Sequence, residues 1–311
     1  MVPPRLAQEH VAVGNINLDI TVRVPRLPGP EENVKASEYW IGLGGAATNY
    51  AVATARLGQR ARLVAVAGRE AERLGLLDAL RREGVDIGGV RVSGEPTGIV
   101  IVLLSPGRGE EARSMVTMRG ANLLLEPSMV PEGGDVVHLA SVRPGLVGEV
   151  CEGRALCTYD PGGESFHNPE GVASAAGMAH YLMLNLRELE AITGGGGVEA
   201  ATSLVSGRLR LVVVKYGSGG AALVDASGVV AEARPPRLGR PVDVTGAGDA
   251  FDAAFNVWLL WRGDPLEALR AAVAAGAAKV GRRGSSNMPG PDEVASLAAR
   301  VEVSGAWRRA G

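Results

Sequence analysis

The stretch DVTGAGDAF, residues 243–251, decides how the rest of this 311-residue chain is interpreted. A polar turn with two glycines leads directly into an apolar pattern with side chains three or four positions apart, which predicts a helix. Thr245 or Gly246 can cap that helix, and the small residues Ala247 and Gly248 leave the N–H groups of its first turn accessible. Such a helix start carries parallel donors and a partial positive charge, so it suits a phosphate or a developing oxyanion.

Asp249 stands in the first turn of this predicted helix and has two explanations. A carboxylate at this position gains about 0.3–1 kcal/mol from the helix dipole, so it can be an ordinary N-terminal Asp. Beside an anion-binding turn, a carboxylate is also what phosphoryl transfer to an alcohol requires, because it can serve as the base for the hydroxyl. The residues alone leave the two explanations about equal.

Composition and charge exclude several classes of function. The net charge of −2 argues against a nucleic-acid partner or a membrane surface recognised by bulk electrostatics. No apolar run approaches the roughly 20 residues of a transmembrane helix, and residues 1–10 lack an apolar signal core, so we expect a cytoplasmic protein. Cys151 and Cys157 are expected to be free thiols, and the four histidines lack the spacing of a zinc site.

Strand-like and helix-like segments alternate along the chain. Residues 11–14 and 136–140 are predicted as buried strands, and residues 70–83 as one amphipathic helix. This alternation predicts an α/β fold with a mostly parallel sheet flanked by helices. Two groups of exposed strands, at about 20–40 and 98–118, carry turn signals, and we pair them as a small β-sheet projecting from the main one.

Polar residues follow several of the predicted strands. Asn17 and Asp19 come after the first strand, at the strand end where α/β folds bind ligands, although they can also be an ordinary turn pair. The segment GGAATN, residues 44–49, lets the backbone approach a polyol, and it also fits a relaxed dinucleotide fingerprint. Asn185 and Glu188 have the spacing of a capping box.

These motifs together resemble the PfkB/ribokinase family of carbohydrate kinases. Residues 243–249 resemble its signature D-T-x-G-A-G-D, with Val244 at the second position, and residues 44–49 resemble its N-terminal signature. Asn17-x-Asp19 and Asn185-x-x-Glu188 resemble two further elements, and all of them lie in family order. The resemblance implies a ribokinase-like fold in which residues 1–311 form a single kinase domain with a small β-sheet lid.

The resemblance also implies a role for each motif. Asp249 would be the catalytic base, with Gly246, Ala247 and Gly248 as the anion hole. Glu188 would hold Mg²⁺ through waters, and a monovalent cation such as K⁺ is a further implied cofactor beside ATP. The implied substrate-binding residues are Asn17, Asp19, Gly44, Gly45 and Asn49, and the implied nucleotide-binding residues are Asn185, Lys215, Gly217, Ser218, Gly220 and Thr245.

The implied reaction is ATP- and Mg-dependent transfer of the γ-phosphoryl group to a hydroxyl of a small sugar, ribose- or fructose-like. A nucleoside is the second acceptor, and a sugar phosphate, as in a 6-phosphofructokinase, is the third. Ribokinases carry a substrate-contacting Glu after the strand that matches residues 136–140, where this chain has Ser141, Val142 and Arg143. A base could stack on Tyr39, Trp40 or Phe166, and a phosphate could meet Arg108, Arg113, Arg119 or Arg143.

Two expectations concern other classes and assemblies. A NAD-dependent dehydrogenase is the alternative from a different class, but the glycine segment does not directly follow a core strand as a dinucleotide fingerprint should. An exposed edge of the predicted lid could pair between subunits, which favours a homodimer.

Overall fold

The computed structural model of the chain describes residues 1–107 and 111–305, so Arg108 lies outside the described part. Strands and helices alternate through it, with apolar runs forming the strands and amphipathic segments the helices. The strands are β1 Glu9–Gly14, β2 Asn17–Arg23, β3 Glu38–Gly44, β4 Arg60–Gly68, β5 Val85–Ser93, β6 Gly98–Pro106, β7 Glu111–Met118, β8 Val136–Ala140, β9 Cys157–Asp160, β10 Tyr181–Asn185, β11 Leu211–Lys215, β12 Ala221–Asp225, β13 Gly228–Arg234 and β14 Glu302–Gly305.

Most of the helices are short and connect successive strands. The longest, α8 and α9, follow one another near the end of the chain and pack together. The helices are α1 Ala46–Arg56, α2 Glu70–Arg73, α3 Leu76–Arg82, α4 Gly145–Cys151, α5 Glu164–His167, α6 Pro169–Ala176, α7 Leu186–Thr193, α8 Ala247–Arg262, α9 Pro265–Lys279 and α10 Pro291–Ala298.

The large sheet has ten strands in the order β14-β13-β12-β11-β10-β9-β8-β1-β4-β5. The strands from β11 through to β5 pair in parallel, and β12, β13 and β14 add an antiparallel edge. Helices α1, α8, α9 and α10 pack on one face, and α4, α6 and α7 pack on the other. Burial on both faces explains why the central strands are continuous apolar runs, and the predicted mostly parallel α/β fold is confirmed.

The small sheet has four strands in the order β3-β2-β6-β7. The register aligns Asp19 with Val100, and Val100 with Thr117, so these side chains share one face, called the inner face below. Trp40 packs on the buried Val100 and Val102 at this inner face. The sheet combines the two strand groups that the sequence pattern predicts as a lid.

Three local predictions need correction. The single helix expected over residues 70–83 is two helices, because Gly75 has the left-handed φ of 72° and separates α2 from α3. Strand β5 was not predicted, since Gly88 and Gly89 interrupt its apolar pattern. Strand β14, at the opposite edge of the large sheet, also lacks a clear apolar signal.

The two cysteines are joined in a disulfide, so the prediction of free thiols is wrong. Cys151 is the last residue of α4 and Cys157 the first of β9, and their Cα atoms lie 5.5 Å apart. This separation lies within the range that a disulfide requires. The prediction relied on the expected cellular compartment, which carries no information about how close the chain brings the two residues.

Among the helices of the described residues, none is long and apolar enough to cross a lipid bilayer.

Candidate active site

The start of α8 lies at the carboxyl-end edge of the large sheet and is shaped by Gly246. Gly246 is the N-cap of the helix and has a φ of 82°, a conformation that L side chains rarely adopt. A Cβ at this position would overlap the carbonyl oxygen of Ser285, so glycine is also required by space. The first N–H groups of a helix have no intrahelical acceptor, which leaves this turn able to bind an anion.

Asp249 lies in this first turn and is held by Asn49 from α1. The side-chain N–H of Asn49 donates to Asp249 Oδ2 at 2.7 Å. Burial raises the pKa of Asp249 to about 7; the Asn49 hydrogen bond and Lys215 oppose the shift, and the charges of Asp160 and Asp19 add to it. A carboxyl group that ionises near neutral pH has the proton affinity that suits a general base.

One side of Asp249, called the acceptor side below, contains buried side-chain oxygens of Asp19 and Asn49 that lack a partner in the described part of the chain. Asp19 Oδ1 and Asn49 Oδ1 are buried and have no hydrogen-bond partner within residues 1–107 and 111–305. Burial raises the pKa of Asp19 to about 6. A Cβ at Gly44 would overlap the Asp19 carboxylate, so this glycine makes room for it. The hydroxyls of a polyol are the donors that these oxygens lack.

Asn17 and Gly45 frame the acceptor side. The side-chain N–H of Asn122 donates to Asn17 Oδ1 at 2.8 Å, and Asn122 Oδ1 accepts from the backbone N–H of Ile16 at 3.0 Å. Asn17 is therefore fixed by the protein itself. Gly45 is the N-cap of α1 and turns the chain from β3 into the helix that carries Asn49.

An arginine completes the acceptor side next to the end of β8. Ser141 follows β8 with a φ of 55°, and its carbonyl oxygen accepts a hydrogen bond from Arg119 Nη2 at 3.2 Å. Arg119 also forms an ion pair with Glu164. Because β8 lies beside β1 in the sheet, this guanidinium stands at the same edge as Asn17 and Asp19. Arg143, two residues after Ser141, forms an ion pair with Glu126 instead.

The donor side, across Asp249, is built from buried charges. Lys215 Nζ donates to Asp160 Oδ2 at 2.7 Å and to both carboxylate oxygens of Asp252, at 3.1 and 3.2 Å. Burial lowers the pKa of Lys215, but the charges of Asp160, Asp252 and Glu188 outweigh it and the net shift is upward. Burial raises the pKa of Asp252 well above its ordinary value. Lys215 therefore neutralises carboxylates, and its ammonium is not free for a nucleotide.

Glu188 lies beside this cluster at the start of α7. Glu188 accepts a hydrogen bond from the backbone N–H of Asn185 at 2.8 Å, and Asn185 accepts one from the N–H of Glu188 at 3.0 Å. The predicted capping box is confirmed. Burial, together with the charge of Asp160, raises the pKa of Glu188 to about 7, and Lys215 and the hydrogen bonds with Asn185 oppose the shift. The donor side thus holds three carboxyl groups around one ammonium.

The remaining predicted nucleotide-binding residues lie in two turns. Gly217, Ser218 and Gly220 belong to the turn between β11 and β12, directly after Lys215, in which the first two are exposed. Thr245 precedes the N-cap of α8, and its Oγ1 lies 3.5 Å from Arg113 Nη1 on the inner face of the small sheet. The structure thus brings the small sheet against the start of α8.

Neither Asp252 nor Asp160 was predicted from the sequence to be a site residue. The signal for Asp252 was available, because it is a carboxylate within a helix whose residues 250–259 are all buried, and a buried charge requires a partner. Asp160 is the last residue of β9 and belongs to none of the motifs that the sequence analysis used. Its contact with Lys215 comes from the pairing of distant strands.

Comparisons with known proteins agree with this geometry. The chain matches the pfkB family of carbohydrate kinases over residues 7–292. It is 33% identical over 297 residues to the ATP-dependent ribose-1-phosphate kinase of Halopiger xanaduensis, covering 92% of this chain and 97% of that protein.

Solved structures share the fold. The Arabidopsis thaliana ribokinase complexed with ribose and ATP superposes with a TM-score of 0.75 at 27% identity, covering 96% of this chain and 99% of that one. An E. coli protein of the same fold, solved with ATP and Mg²⁺, has a TM-score of 0.76 at 21% identity, covering 95% of this chain and 100% of that one. ATP and Mg²⁺ are therefore ligands of known structures with this fold.

Proposed function

We propose, from the premise that the chain belongs to the pfkB family and is an ATP-dependent sugar kinase, that its acceptor is a ribose-type sugar carrying a phosphate at its anomeric carbon. The observation that carries this proposal is the guanidinium of Arg119 at the end of β8, where its Nη2 donates to the carbonyl oxygen of Ser141. We place the reaction in the cytoplasm, where ATP is available.

The proposed reaction transfers the γ-phosphoryl group of ATP to a hydroxyl of the sugar. Asp249, whose pKa burial raises to about 7, takes the hydroxyl proton as the oxygen attacks phosphorus and ADP leaves. The N–H groups at Gly246, Ala247 and Gly248 lie at the start of α8 and stabilise the charge on the transferred phosphoryl group. Asp19 and Asn49 orient the sugar through their unpartnered oxygens.

The charge at the end of β8 supports a phosphorylated acceptor over a free sugar. Ribokinases have a Glu after the matching strand, and a carboxylate there would repel a phosphate. This chain has Ser141 instead, next to the Arg119 guanidinium. The Glu164 carboxylate is paired with Arg119, so a bound phosphate would share the guanidinium with it. Guanidinium groups bind phosphate through two parallel hydrogen bonds. The 33% identity to a ribose-1-phosphate kinase supports the same assignment.

The donor side fits Mg²⁺. Three carboxyl groups surround the single ammonium of Lys215, and burial together with the charge of Asp160 raises the pKa of Glu188 to about 7. A divalent cation would stabilise the ionised form of Glu188, and Mg²⁺ binds through one or two carboxylates together with waters and substrate phosphates. Glu188 is the residue that we propose to hold it, through waters, because both oxygens of Asp160 already accept hydrogen bonds from Lys215 and Gly162. The bound ion would neutralise charge on the phosphates during transfer.

The other two candidate acceptors are a nucleoside and a free pentose. For a nucleoside, Tyr39 was one candidate to stack on the base, but it pairs with Val22 on the outer face of the small sheet and is exposed there. Trp40 lies on the inner face, and Phe166 is exposed in α5. A free pentose lacks the phosphate that would engage Arg119. Both acceptors are tested together with the sugar phosphate.

An acceptor screen tests the proposal. Purified protein with Mg-ATP is offered ribose 1-phosphate, ribose, fructose, fructose 6-phosphate and a set of nucleosides, and ADP formation is measured. The expected result is a kcat/KM for ribose 1-phosphate at least about tenfold above that for ribose, since a hydrogen bond to a charged group contributes about 1.5–3 kcal/mol. A higher kcat/KM for ribose or for a nucleoside would overturn the assignment.

We also propose that two copies of the chain associate through the outer face of the small sheet. The register places Ile20, Ile41, Ile101 and Val116 side by side on that face, and Ile41 and Val116 are exposed. Contiguous exposed apolar surface of this kind marks an association site. A second copy offers the same apolar face, which a two-fold dimer requires. Sedimentation should give a dimer for the wild type and a monomer for Ile41→Lys.

A further inference from the structure

Lys279 is a buried cation that the proposed reaction does not use. It is the last residue of α9 and is fully buried, with an exposed fraction of 0%. Its Nζ donates to the carbonyl oxygen of Arg282 at 3.3 Å, which uses one of the three donors of an ammonium group. A charged group is removed from water at this depth only where neighbouring charges compensate for the lost solvation.

The neighbouring charges belong to the turn before α8. Burial lowers the pKa of Lys279, and the carboxylates of Asp243 and Asp249 oppose this shift, while Arg282 adds to it. The charges of the two carboxylates at the ends of the turn of residues 243–249 thus act on the ammonium of Lys279. The positive charge of Lys279 can therefore compensate part of the negative charge of these two carboxylates.

Asp243, at the start of the same turn, forms hydrogen bonds within the turn and to the segment after α9. Asp243 Oδ1 accepts from the N–H of Thr245 at 2.9 Å, and Asp243 Oδ2 accepts from the N–H of Gly284 at 3.0 Å. The N–H of Asp243 donates to the carbonyl oxygen of Val280 at 3.2 Å. Lys279 stands next to Val280 in sequence and contacts Arg282, so it anchors the segment on which the turn rests.

We propose that the ammonium of Lys279 acts as a built-in monovalent cation that holds the turn of residues 243–249 in its phosphate-binding shape. The enzyme therefore does not require K⁺ or another monovalent cation, although the family resemblance implied one. A lysine ammonium is a compact point charge that meets carbonyl and carboxylate oxygens as a bound cation does. This inference rests on the proposed role of Gly246, Ala247 and Gly248 as the anion hole. Lys279 is a positioning residue, because it acts through the turn.

The first test uses the wild-type protein. The kcat and KM values are measured in a buffer whose only added cations are choline and Mg²⁺, and again with KCl, NaCl or NH₄Cl at the same ionic strength. The expected result is that kcat changes by less than about twofold, since the Lys279 charge already compensates the turn. Activation by K⁺ of about tenfold or more would overturn the proposal without depending on any variant.

The second test compares two variants of Lys279. Lys279→Ala leaves space for an ion, whereas Lys279→Met fills it with an uncharged chain of similar length. Both should lose about 10²-fold in kcat in the choline buffer, the size of effect seen when an oxyanion donor is lost. K⁺ or NH₄⁺ should restore at least about tenfold in the Ala variant and not in the Met variant. Unfolding curves with Mg-ATP confirm that both proteins are folded.

Lys35→Met is the matched control, because it removes a lysine that is exposed in the β2–β3 connection. It should keep both the wild-type kcat and its indifference to K⁺. Folded Lys279→Ala that retains the wild-type kcat, or that shows no response to K⁺ and NH₄⁺, would overturn the proposal. If the anion-hole assignment itself fails, Asp249→Asn will retain activity, which separates that failure from a failure of the lysine proposal.

Discussion

The two sides of Asp249 differ in how completely the protein satisfies its own polar groups. On the donor side, Lys215 forms three hydrogen bonds to Asp160 and Asp252. On the acceptor side, Asp19 and Asn49 each have a buried oxygen without a hydrogen-bond partner in the described part of the chain. Unpaired buried polar atoms cost about 1–3 kcal/mol each. Two of the unpaired buried atoms therefore lie beside Asp249, on the side where we propose that the sugar binds.

This difference indicates which side determines specificity. A site with unsatisfied polar atoms rejects ligands that cannot pair with them, because the cost is then not recovered. The donor side instead holds three carboxyl groups around one ammonium, and burial raises the pKa of Glu188 and Asp252, so a cation bound together with a nucleotide would favour their ionised forms. The donor side can therefore serve many acceptors, and differences in the acceptor should depend on the side that contains Asp19 and Arg119.

Removing the group that joins the two sides should have the largest effect. Asp249→Asn retains the shape of the side chain but cannot accept the hydroxyl proton, so kcat should fall by about 10³-fold. The rate is measured by ADP release with the sugar phosphate as acceptor. Binding of Mg-ATP, measured by calorimetry, should change little because the donor side is intact. A kcat within about tenfold of the wild type would show that Asp249 is not the base.

Removing the Lys215 ammonium from the donor side should lower the free energy of unfolding as well as the activity. Lys215→Met leaves Asp160 and Asp252 buried without their cation, and removing one partner of a buried ion pair costs about 3–5 kcal/mol. Urea unfolding at neutral pH measures the loss. Arg62→Met is the control, because it removes an exposed ion pair with Asp86 and should cost about 0–1 kcal/mol. Equal losses in the two variants would contradict the special role of the Lys215 cluster.

The parts of this site that depend on a few adjacent residues could be predicted from the sequence. The start of α8, the capping box of Asn185 and Glu188, and the position of Asp19 after β1 each depend on a few adjacent residues. The cluster around Lys215 could not be predicted in the same way, because its members come from β9, β11 and α8. Contacts of this kind depend on the order of strands in the sheet, for which a local pattern gives no signal.

The same reason explains the other omissions. Asp243 contacts Gly284, and its charge acts on Lys279, only because the segment after α9 returns to the turn before α8. The pairing of Cys151 with Cys157 depends on how the end of α4 meets β9. The overall architecture was easier to predict, since alternation of strands and helices already favours a parallel sheet with two covered faces.

The pH dependence of kcat/KM distinguishes Asp249, between the two sides, from Glu188 on the donor side. Burial raises the pKa of both Asp249 and Glu188 to about 7. A base must be ionised to act, so kcat/KM should be constant above pH 7 and fall about tenfold per unit below it. Bound Mg²⁺ would favour ionised Glu188. The fall of kcat/KM below pH 7 should therefore persist in Glu188→Gln when rates are measured at saturating Mg-ATP. If kcat/KM of that variant does not change with pH, the fall is due to Glu188 and not to Asp249.

The smallest predicted effect lies on the acceptor side, at Arg119. Arg119→Met removes the guanidinium beside Ser141, so kcat/KM for ribose 1-phosphate should fall by about tenfold or more, the contribution of a hydrogen bond to a charged group. The substitution also leaves Glu164 without its ion-pair partner. That structural change acts equally on all acceptors, so the informative quantity is the ratio of kcat/KM for ribose 1-phosphate to that for ribose.

This ratio should fall in Arg119→Met and stay constant in Arg143→Met, because Arg143 forms an exposed ion pair with Glu126 instead. Ser141→Glu provides the complementary change, since it restores the carboxylate found in ribokinases and should move the ratio further towards free ribose. If Arg119→Met lowers both kcat/KM values by the same factor, the guanidinium is structural and the phosphate of the acceptor binds elsewhere. The acceptor side would then discriminate through Asp19 and Asn49 alone, whose unpartnered oxygens recognise hydroxyls and not charge.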